Sequence, residues 1–526
     1  MDGIALALLA NRANALCEEM GIVLRRTALS PNIKDRLDYS CALFDTSGAL
    51  FAQAAHIPVH LGSMAYALKD VVAQFPWAPG DAVVFNDPFL GGTHLPDVTV
   101  VVPAFLGAHC LGFAVTRAHH AHIGASAPGS MPLSQSLAEE GLCLPPTYLL
   151  RQGVMPEATL AALAPLCRGE APTEATWRTA SGLEDFAAQL ASAQAGARAL
   201  GGLAEQQGGF AALAAGVTAL HGYGERLARS ALAALPEGRY EAEDVLDSDG
   251  FSDAPVPLKL ALTLKGGEAE LNFTGSAPMV EGNLNCPEAV TAAAVFYAFR
   301  CLMPPQTPAT AGVFRPLRLK VPKPSLLAAE APAAVAAGNV ETSMRVVDLV
   351  LRALAEAAPD RIPAASQGTM NNLALGAGGA APWDYYETLA GGHGASAQGP
   401  GADAQHSHMT NTLNTPIESL EAHYPLRVLA YAVRRGSGGA GQHRGGDGVL
   451  RRYAFLAPAT LTLLTERRTQ GPWGLAGGAP GQPGRNTLNG VALPGKVTAA
   501  VDVGDVLTIE TPGGGGYGEG PPAPRA

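Results

Sequence analysis

Apolar residues near the start of the chain recur at helical spacing and then give way to short runs typical of strands. Leu9, Leu16, Met20 and Val23 share one helical face, which predicts an amphipathic helix over about the first twenty-five residues. The runs that follow are apolar, and the later ones are rich in β-branched residues, which favour strands. They comprise residues 39–44, 49–53, 81–85, 98–103 and 111–116.

Turn residues suggest how these runs are connected. The Asp-Thr-Ser-Gly sequence at 45–48 predicts a hairpin between the first two runs. A Gly-Gly loop and a Pro/Gly connection join the last three runs, which we interpret as an antiparallel meander. In a meander the end of the third strand lies close to the start of the second.

Imidazole and carboxylate groups are concentrated in this part of the chain. His94 and Asp97 precede the second strand of the meander, and His119 ends the third. Neutral imidazole nitrogen and carboxylate oxygen suit a divalent first-row ion such as Zn, Mn or Fe, and no cysteine adjoins them to form a thiolate site. The spacing therefore indicates a candidate metal site, and a polar strand end is the alternative that it leaves open.

The middle of the chain has a helical composition. Residues 183–235 are rich in Ala, Leu and Gln, which predicts a long helical stretch, interrupted or kinked near Gly201-Gly202 and Gly208-Gly209. A second β region opens at Gly238 and includes residues 258–264 and 269–273. A further amphipathic helix, ending before a proline, is marked by Met344, Val347, Leu351 and Leu354.

These elements predict an α+β fold with more than one domain. We place a β-rich metal-site region and the central long helices in residues 1–237. Residues 238–526 form a second α/β region with Gly-rich loops. The Thr-Pro-Gly-Gly-Gly-Gly-Tyr-Gly sequence at 511–518 is expected to be a flexible or tightly turned chain end.

Composition excludes some functional classes. The chain is 47% hydrophobic and only 15% charged, which favours large buried subunit interfaces. Its net charge of -11 disfavours a nucleic-acid binder, because phosphate neutralisation needs clustered Lys and Arg. No apolar run has membrane length, and 7 scattered cysteines without a C-x-x-C pair fit a reducing cytoplasm.

The second half holds several polar clusters that could line a substrate pocket or simply be hydrogen-bonded surface loops. His406 and His408 have the i, i+2 spacing that places both rings on one face of a strand, so they are the second candidate metal pair. The sequence has no G-x-x-x-x-G-K-[ST] loop for ATP, no strand-linked G-x-G-x-x-G with a downstream acid for NAD, and no G-x-S-x-G nucleophile elbow.

Several motifs along the chain are shared with one known family. One of them is Asn-Asp-Pro-Phe-Leu-Gly-Gly-Thr-His-Leu-Pro-Asp at 86–97. The others occur in family order across essentially the whole chain, at residues 30–41, 56–64, 117–120, 338–343, 367–372, 386–388, 408–412, 435–441 and 511–518. On these motifs the chain resembles the hydantoinase B/5-oxoprolinase family.

The resemblance implies a divided enzyme. A hydantoinase A-type partner would bind ATP and Mg²⁺ and phosphorylate the substrate, and this chain would hydrolyse the activated lactam or hydantoin at one divalent ion, Zn or Mn. The family's metal ligands fall on His94, Asp97 and His119, with Asp38 as an additional carboxylate. His120 and His122 would support the site or transfer protons.

Two alternatives to this cytoplasmic hetero-oligomeric hydrolase stay open. Relatives of the same type include the large subunits of acetone and acetophenone carboxylases, so the chain could instead carboxylate a phosphorylated enolate. The length of 526 residues favours the hydrolase modestly. A third hypothesis is a non-catalytic scaffold for the partner, which would bind no stoichiometric ion.

Overall fold

The computed structural model describes residues 2–54, 56–379 and 382–520, and it confirms the α+β class. Its α-helices are α1 (Gly3–Thr27), α2 (Pro31–Lys34), α3 (Pro58–Val72), α4 (Glu157–Leu163), α5 (Glu184–Gln207), α6 (Phe210–Ala233), α7 (Glu288–Arg300), α8 (Ser343–Ala357) and α9 (Ile417–His423). In the described part of the chain no helix has both the length and the apolar character needed to cross a membrane.

The strands form several sheets. In chain order they are β1 (Tyr39–Phe44), β2 (Leu50–Gln53), β3 (Ala82–Phe85), β4 (Asp97–Leu106), β5 (His109–His119), β6 (Thr147–Leu150), β7 (Gly238–Leu246), β8 (Val256–Lys265), β9 (Glu268–Asn272), β10 (Leu317–Lys320), β11 (Asn372–Ala377), β12 (Trp383–Glu387), β13 (Leu426–Arg434), β14 (Gly448–Phe455), β15 (Ala459–Leu464), β16 (Arg485–Leu488), β17 (Val491–Leu493), β18 (Lys496–Val501) and β19 (Val506–Glu510).

The first sheet is antiparallel and has the order β2-β1-β5-β4-β3-β6. The predicted N-terminal helix, the β1–β2 hairpin and the β3–β4–β5 meander are all confirmed. One face of the sheet packs against α1 and α5, and α3 covers the other. The sheet is therefore buried on both faces, which explains the continuous apolar runs in its central strands.

The long helical stretch is broken at one of the two predicted points. α5 ends at Gly208 and Gly209, whose φ angles of 97° and 102° lie in the left-handed region that favours glycine. Gly201 and Gly202 lie within α5, so the interruption predicted there is wrong. Leu200, Leu203 and Ala204 are buried around that pair, and their packing holds the helix together.

The second half contains three further sheets, ordered β10-β9-β8-β7, β12-β11-β15-β18 and β13-β14-β19-β16-β17. The first of these shares a core with α7 and the predicted amphipathic helix α8. The other two enclose a second core between them. The proposed boundary at residue 237 lies in the short connection between α6 and β7, and the division into domains stays a prediction.

The glycine-rich segments of the second half pack with backbone directly against backbone, and we call this arrangement the backbone layer. Residues 511–518 are buried, so the expectation of a flexible or tightly turned end is wrong. Gly514 donates a backbone hydrogen bond to Gly446 O and accepts one from Gly439 N, both 2.9 Å long. A Cβ at Gly514 would lie 1.9 Å from His393 O. Glycine is required here because the chains approach too closely for any side chain.

Gly514→Ala should therefore lower the melting temperature. Overpacking of this kind costs about 1–3 kcal/mol, which corresponds to a fall on the order of 5 °C in a domain of this size. The control is Gly399→Ala, because Gly399 has no atom within 4 Å of an added Cβ and lies outside the left-handed region. Differential scanning calorimetry of both variants makes the comparison, and equal melting temperatures would contradict the backbone layer.

Candidate metal centre

The β4–β5 pairing brings the predicted ligands together. Asp97 is the first residue of β4 and lies opposite His119, the last residue of β5. Arg117, two residues before His119, donates from Nη1 to Ser63 Oγ on α3 at 2.7 Å. Side chains two apart on a strand share a face, so His119 also points toward α3. The His94 side chain extends from the turn before β4 to the Asp97 carboxylate.

The ligand atoms converge at hydrogen-bond distances. Asp97 Oδ1 lies 3.0 Å from His94 Nε2 and 3.5 Å from His119 Nδ1. One potential ligand atom from each of the three residues falls within 4.8 Å of the others, and all three side chains are buried. Within the described ranges, no other set of three or more His, Cys, Asp or Glu side chains has this geometry.

The two carboxylate oxygens of Asp97 have different surroundings. Oδ2 accepts hydrogen bonds from Thr93 Oγ1 at 2.8 Å and Asn339 Nδ2 at 3.2 Å, and His60 Nε2 also lies 3.2 Å away. Oδ1 is buried and has no hydrogen-bond donor among the described residues. Oδ1 is thus the oxygen that remains available for a metal ion.

His94 is oriented by a backbone acceptor. Its Nδ1 lies 3.1 Å from Ala336 O, and because a carbonyl only accepts, Nδ1 carries the proton. In the neutral ring, Nε2 then presents its lone pair to Asp97 Oδ1. Two lone pairs at 3.0 Å repel unless a cation, either a proton or a metal ion, lies between them. The donor set therefore fits a divalent first-row ion.

Electrostatics favours the protonation state that metal binding needs at two of the three residues, Asp97 and His119. Burial would raise the pKa of Asp97, but the neighbouring imidazoles of His60, His94 and His119 hold it well below its ordinary value. Burial lowers the pKa of His119 despite the nearby carboxylates. Burial also acts to lower the pKa of His94, but Asp97 outweighs it and raises that pKa. An ionised Asp97 and a neutral His119 are the forms that coordinate metals.

Asp38, the predicted additional carboxylate, lies at the edge of this group. It immediately precedes β1, and its Oδ1 is 4.0 Å from His60 Nε2. Its Oδ2 lies 3.7 Å from the buried guanidinium of Arg36. Asp38 lines the cavity but is not one of the three clustered residues, so its role as a ligand stays a prediction.

His120 and His122 lie elsewhere. His120 follows β5 on the opposite face, where its Nε2 is 2.8 Å from Gln189 Oε1 and its ring meets Phe186 of α5. His122 is half-buried, with Nδ1 3.8 Å from Asp384 Oδ2. Both line an open pocket of about 490 Å³, and neither lines the metal cavity. Their assignment to proton transfer stays a prediction.

Sequence reasoning missed three cavity residues. His60, in the first turn of α3, stands between Val59 and Leu61, and this imidazole in an apolar turn was a usable signal. Asn339 comes from a π-helical turn, Gly338–Thr342, and Tyr386 from β12. Their proximity to His94 and Asp97 depends on contacts between distant parts of the chain, which spacing does not show.

The cavity beside the metal group is small. Its volume of about 20 Å³ accommodates one water-sized body. Its walls combine apolar side chains with the hydroxyls of Thr388, Thr410 and Thr412. The apolar members are Ile57, Val59, Val340, Met370 and Met409.

The second candidate metal pair does not form such a group within the described ranges. His408 Nε2 lies 3.5 Å from Asp348 Oδ1, and His406 contributes no ligand atom to that pair. Asp348 Oδ2 instead accepts a hydrogen bond from Arg467 at 2.8 Å. His408 thus belongs to a buried charged network rather than to a second metal cluster.

Comparisons with known proteins show which family this chain resembles. The Hydantoinase B/oxoprolinase family model matches residues 2–520. An uncharacterised protein of Methanocaldococcus jannaschii is 38% identical over 98% of this chain and 91% of its own length. 5-Oxoprolinase 1 of Arabidopsis thaliana is 38% identical over 98% of this chain, which spans only 42% of that longer protein.

Two solved structures share the fold. ATP-dependent caprolactamase from Pseudomonas jessenii superposes with a TM-score of 0.89 at 26% identity, covering 99% of this chain and 93% of that one. Nucleotide-free acetone carboxylase gives a TM-score of 0.82 at 17% identity, covering 97% and 75%, and shows the fold alone. With a family model matched along nearly its whole length, the chain belongs to the hydantoinase B/oxoprolinase family.

Proposed function

We propose that this chain is the metal-dependent catalytic subunit of an ATP-dependent cyclic amidohydrolase of the 5-oxoprolinase or N-methylhydantoinase type. Its substrate would be a lactam or hydantoin ring activated by phosphorylation on a partner subunit. The observation that carries the proposal is the buried group of His94, Asp97 and His119. Relatives named 5-oxoprolinase and ATP-dependent caprolactamase support the reaction class.

The lengths of the relatives support the proposal of a partner subunit. This chain spans 42% of the Arabidopsis 5-oxoprolinase but 91% of the archaeal relative. We infer that the remainder of the longer protein carries the phosphorylating function. For this chain a separate hydantoinase A-type subunit would bind ATP and Mg²⁺, giving a hetero-oligomer.

The ligands would be His94, Asp97 and His119, holding one Zn²⁺ or Mn²⁺ ion. When bound, the ion would supply a Lewis acid for the phosphorylated carbon–oxygen group under attack. Asp97 keeps its orientation because its Oδ2 is held by Thr93, Asn339 and His60.

The other polar residues would bind and orient the reactants. Asp38, beside Arg36, would provide the additional carboxylate at the edge of the metal group. Water would add to the ring carbon that carries the phosphorylated oxygen, and the ring C–N bond would then break, with a proton passing to the leaving nitrogen, to give an amine and an acyl phosphate. A second water would hydrolyse the acyl phosphate to the carboxylate and release phosphate. His120 would support β5 from its other face, and His122, in the open pocket, would exchange protons with solvent.

His94→Ala should reduce bound metal by at least about tenfold, because loss of one ligand leaves two in a buried site. The measurement is metal content per chain by plasma mass spectrometry after purification with Zn²⁺ or Mn²⁺. The control is His109→Ala, since His109 is exposed at the other end of β5. A wild-type chain without stoichiometric metal, or an active His94→Ala complex, would favour the scaffold hypothesis.

The complex with its hydantoinase A-type partner should hydrolyse ATP when a lactam or hydantoin is supplied and should release the ring-opened product. ATP turnover and product formation are measured by coupled assay and mass spectrometry across 5-oxoproline, caprolactam and hydantoins. Ketones with bicarbonate are the comparison set, because ketone carboxylation is the alternative function. ATP turnover that is stimulated only by ketone plus bicarbonate, with a carboxylated product, would contradict the hydrolase proposal.

A further inference from the structure

The two imidazoles of the metal group are oriented by different means. His94 has a backbone acceptor, Ala336 O, that fixes the plane of its ring. Metal-binding histidines usually have such an acceptor, which sets the ring orientation. For His119, the described residues provide only the Asp97 carboxylate, 3.5 Å from Nδ1, while Nε2 is buried without a partner. Hydrogen bonding therefore does not explain how the His119 ring is held.

An aromatic ring lies flat against His119. The Tyr386 and His119 ring centroids are 4.6 Å apart, and the two planes differ by only 9°. Both residues are buried and line the metal cavity. Parallel, offset contact with part of the ring face restricts rotation of the imidazole about its χ2 bond, so Tyr386 can perform the task that Ala336 performs for His94.

Tyr386 is itself firmly anchored. Its hydroxyl lies 2.7 Å from Asn372 Oδ1. The Asn372 amide cannot be reversed, because its Nδ2 donates to Leu464 O at 2.8 Å, and a carbonyl only accepts. The tyrosine must therefore donate its proton to Asn372 Oδ1. On the other side, Tyr386 O accepts a hydrogen bond from Arg36 Nη1 at 2.9 Å.

We propose that Tyr386 is a positioning residue whose ring, and not its hydroxyl, holds the His119 imidazole in the orientation that binds the metal. The hydroxyl proton is committed to Asn372, so it is unavailable to the substrate. The inference rests on the metal site proposed above. It assigns a residue of the second half of the chain to the metal centre of the first half.

The experiment compares three variants of the full chain by Co²⁺ titration, following affinity and the visible absorption spectrum. Tyr386→Leu removes the ring and should weaken Co²⁺ binding by about tenfold or more and alter the absorption bands. Tyr386→Phe keeps the ring and should match the wild type in both. Tyr385→Leu is the matched control, because Tyr385 is the equally buried neighbour that packs in a different core, and it should also leave binding unchanged.

The outcomes separate this inference from the proposed function. A wild-type chain that binds no Co²⁺ overturns both. Wild-type binding together with an unaffected Tyr386→Leu variant overturns the positioning role alone. Equal losses in Tyr386→Phe and Tyr386→Leu would assign the effect to the hydroxyl and would also overturn it. Should Tyr386→Leu not fold, Tyr386→Met is a second ring-free variant, since methionine adapts to irregular space.

Discussion

The Asp97 carboxylate imposes the constraint on which the candidate site depends. A fully buried ionised group is costly unless donors or cations surround it, and Asp97 has none of its surface exposed. Donors from the preceding turn, from α3 and from the π-helical turn satisfy one oxygen. The other oxygen meets two imidazoles. The contacts that offset the cost of burying the ionised carboxylate thus also determine which of its two oxygens can bind a metal.

Because one of these donors is Asn339, the site joins the two halves of the chain. Arg36 strengthens the junction, since its guanidinium bonds Tyr386 O and Thr388 Oγ1 while lying 3.7 Å from Asp38. A second buried network lies in the later half, where Arg467 bonds both Asp244 and Asp348. Removing one partner of a buried ion pair destabilises the fold by more than the intact pair stabilises it, because the other charge is left buried and unpaired. The ion pairs at these junctions therefore fix the geometry of the fold rather than add stability.

The sequence is informative where contacts are local. Asp97 and His119 could be brought together from the sequence because a tight meander pairs β4 with β5, and His94 lies only three residues before Asp97. The family resemblance then assigned these residues to a metal site. Asn339 is separated from Asp97 by 242 positions, and no local sequence pattern predicts the contact between them. The glycine tail was misjudged for a similar reason, because its partners at Gly439 and Gly446 come from another segment.

The alternation of side chains at the end of β5 explains why His119 and His120 cannot share one role. His119 faces α3 and the metal group, whereas His120 meets Phe186 and Gln189 of α5 across the sheet. The amide of Gln189 in turn donates to Val98 O at 2.9 Å, next to Asp97 on β4. Through Gln189, His120 is thus hydrogen-bonded to the backbone of the strand that begins with Asp97. His120 lines the open pocket and not the metal cavity, so this link to β4 is a route by which it can influence the position of the metal ligands.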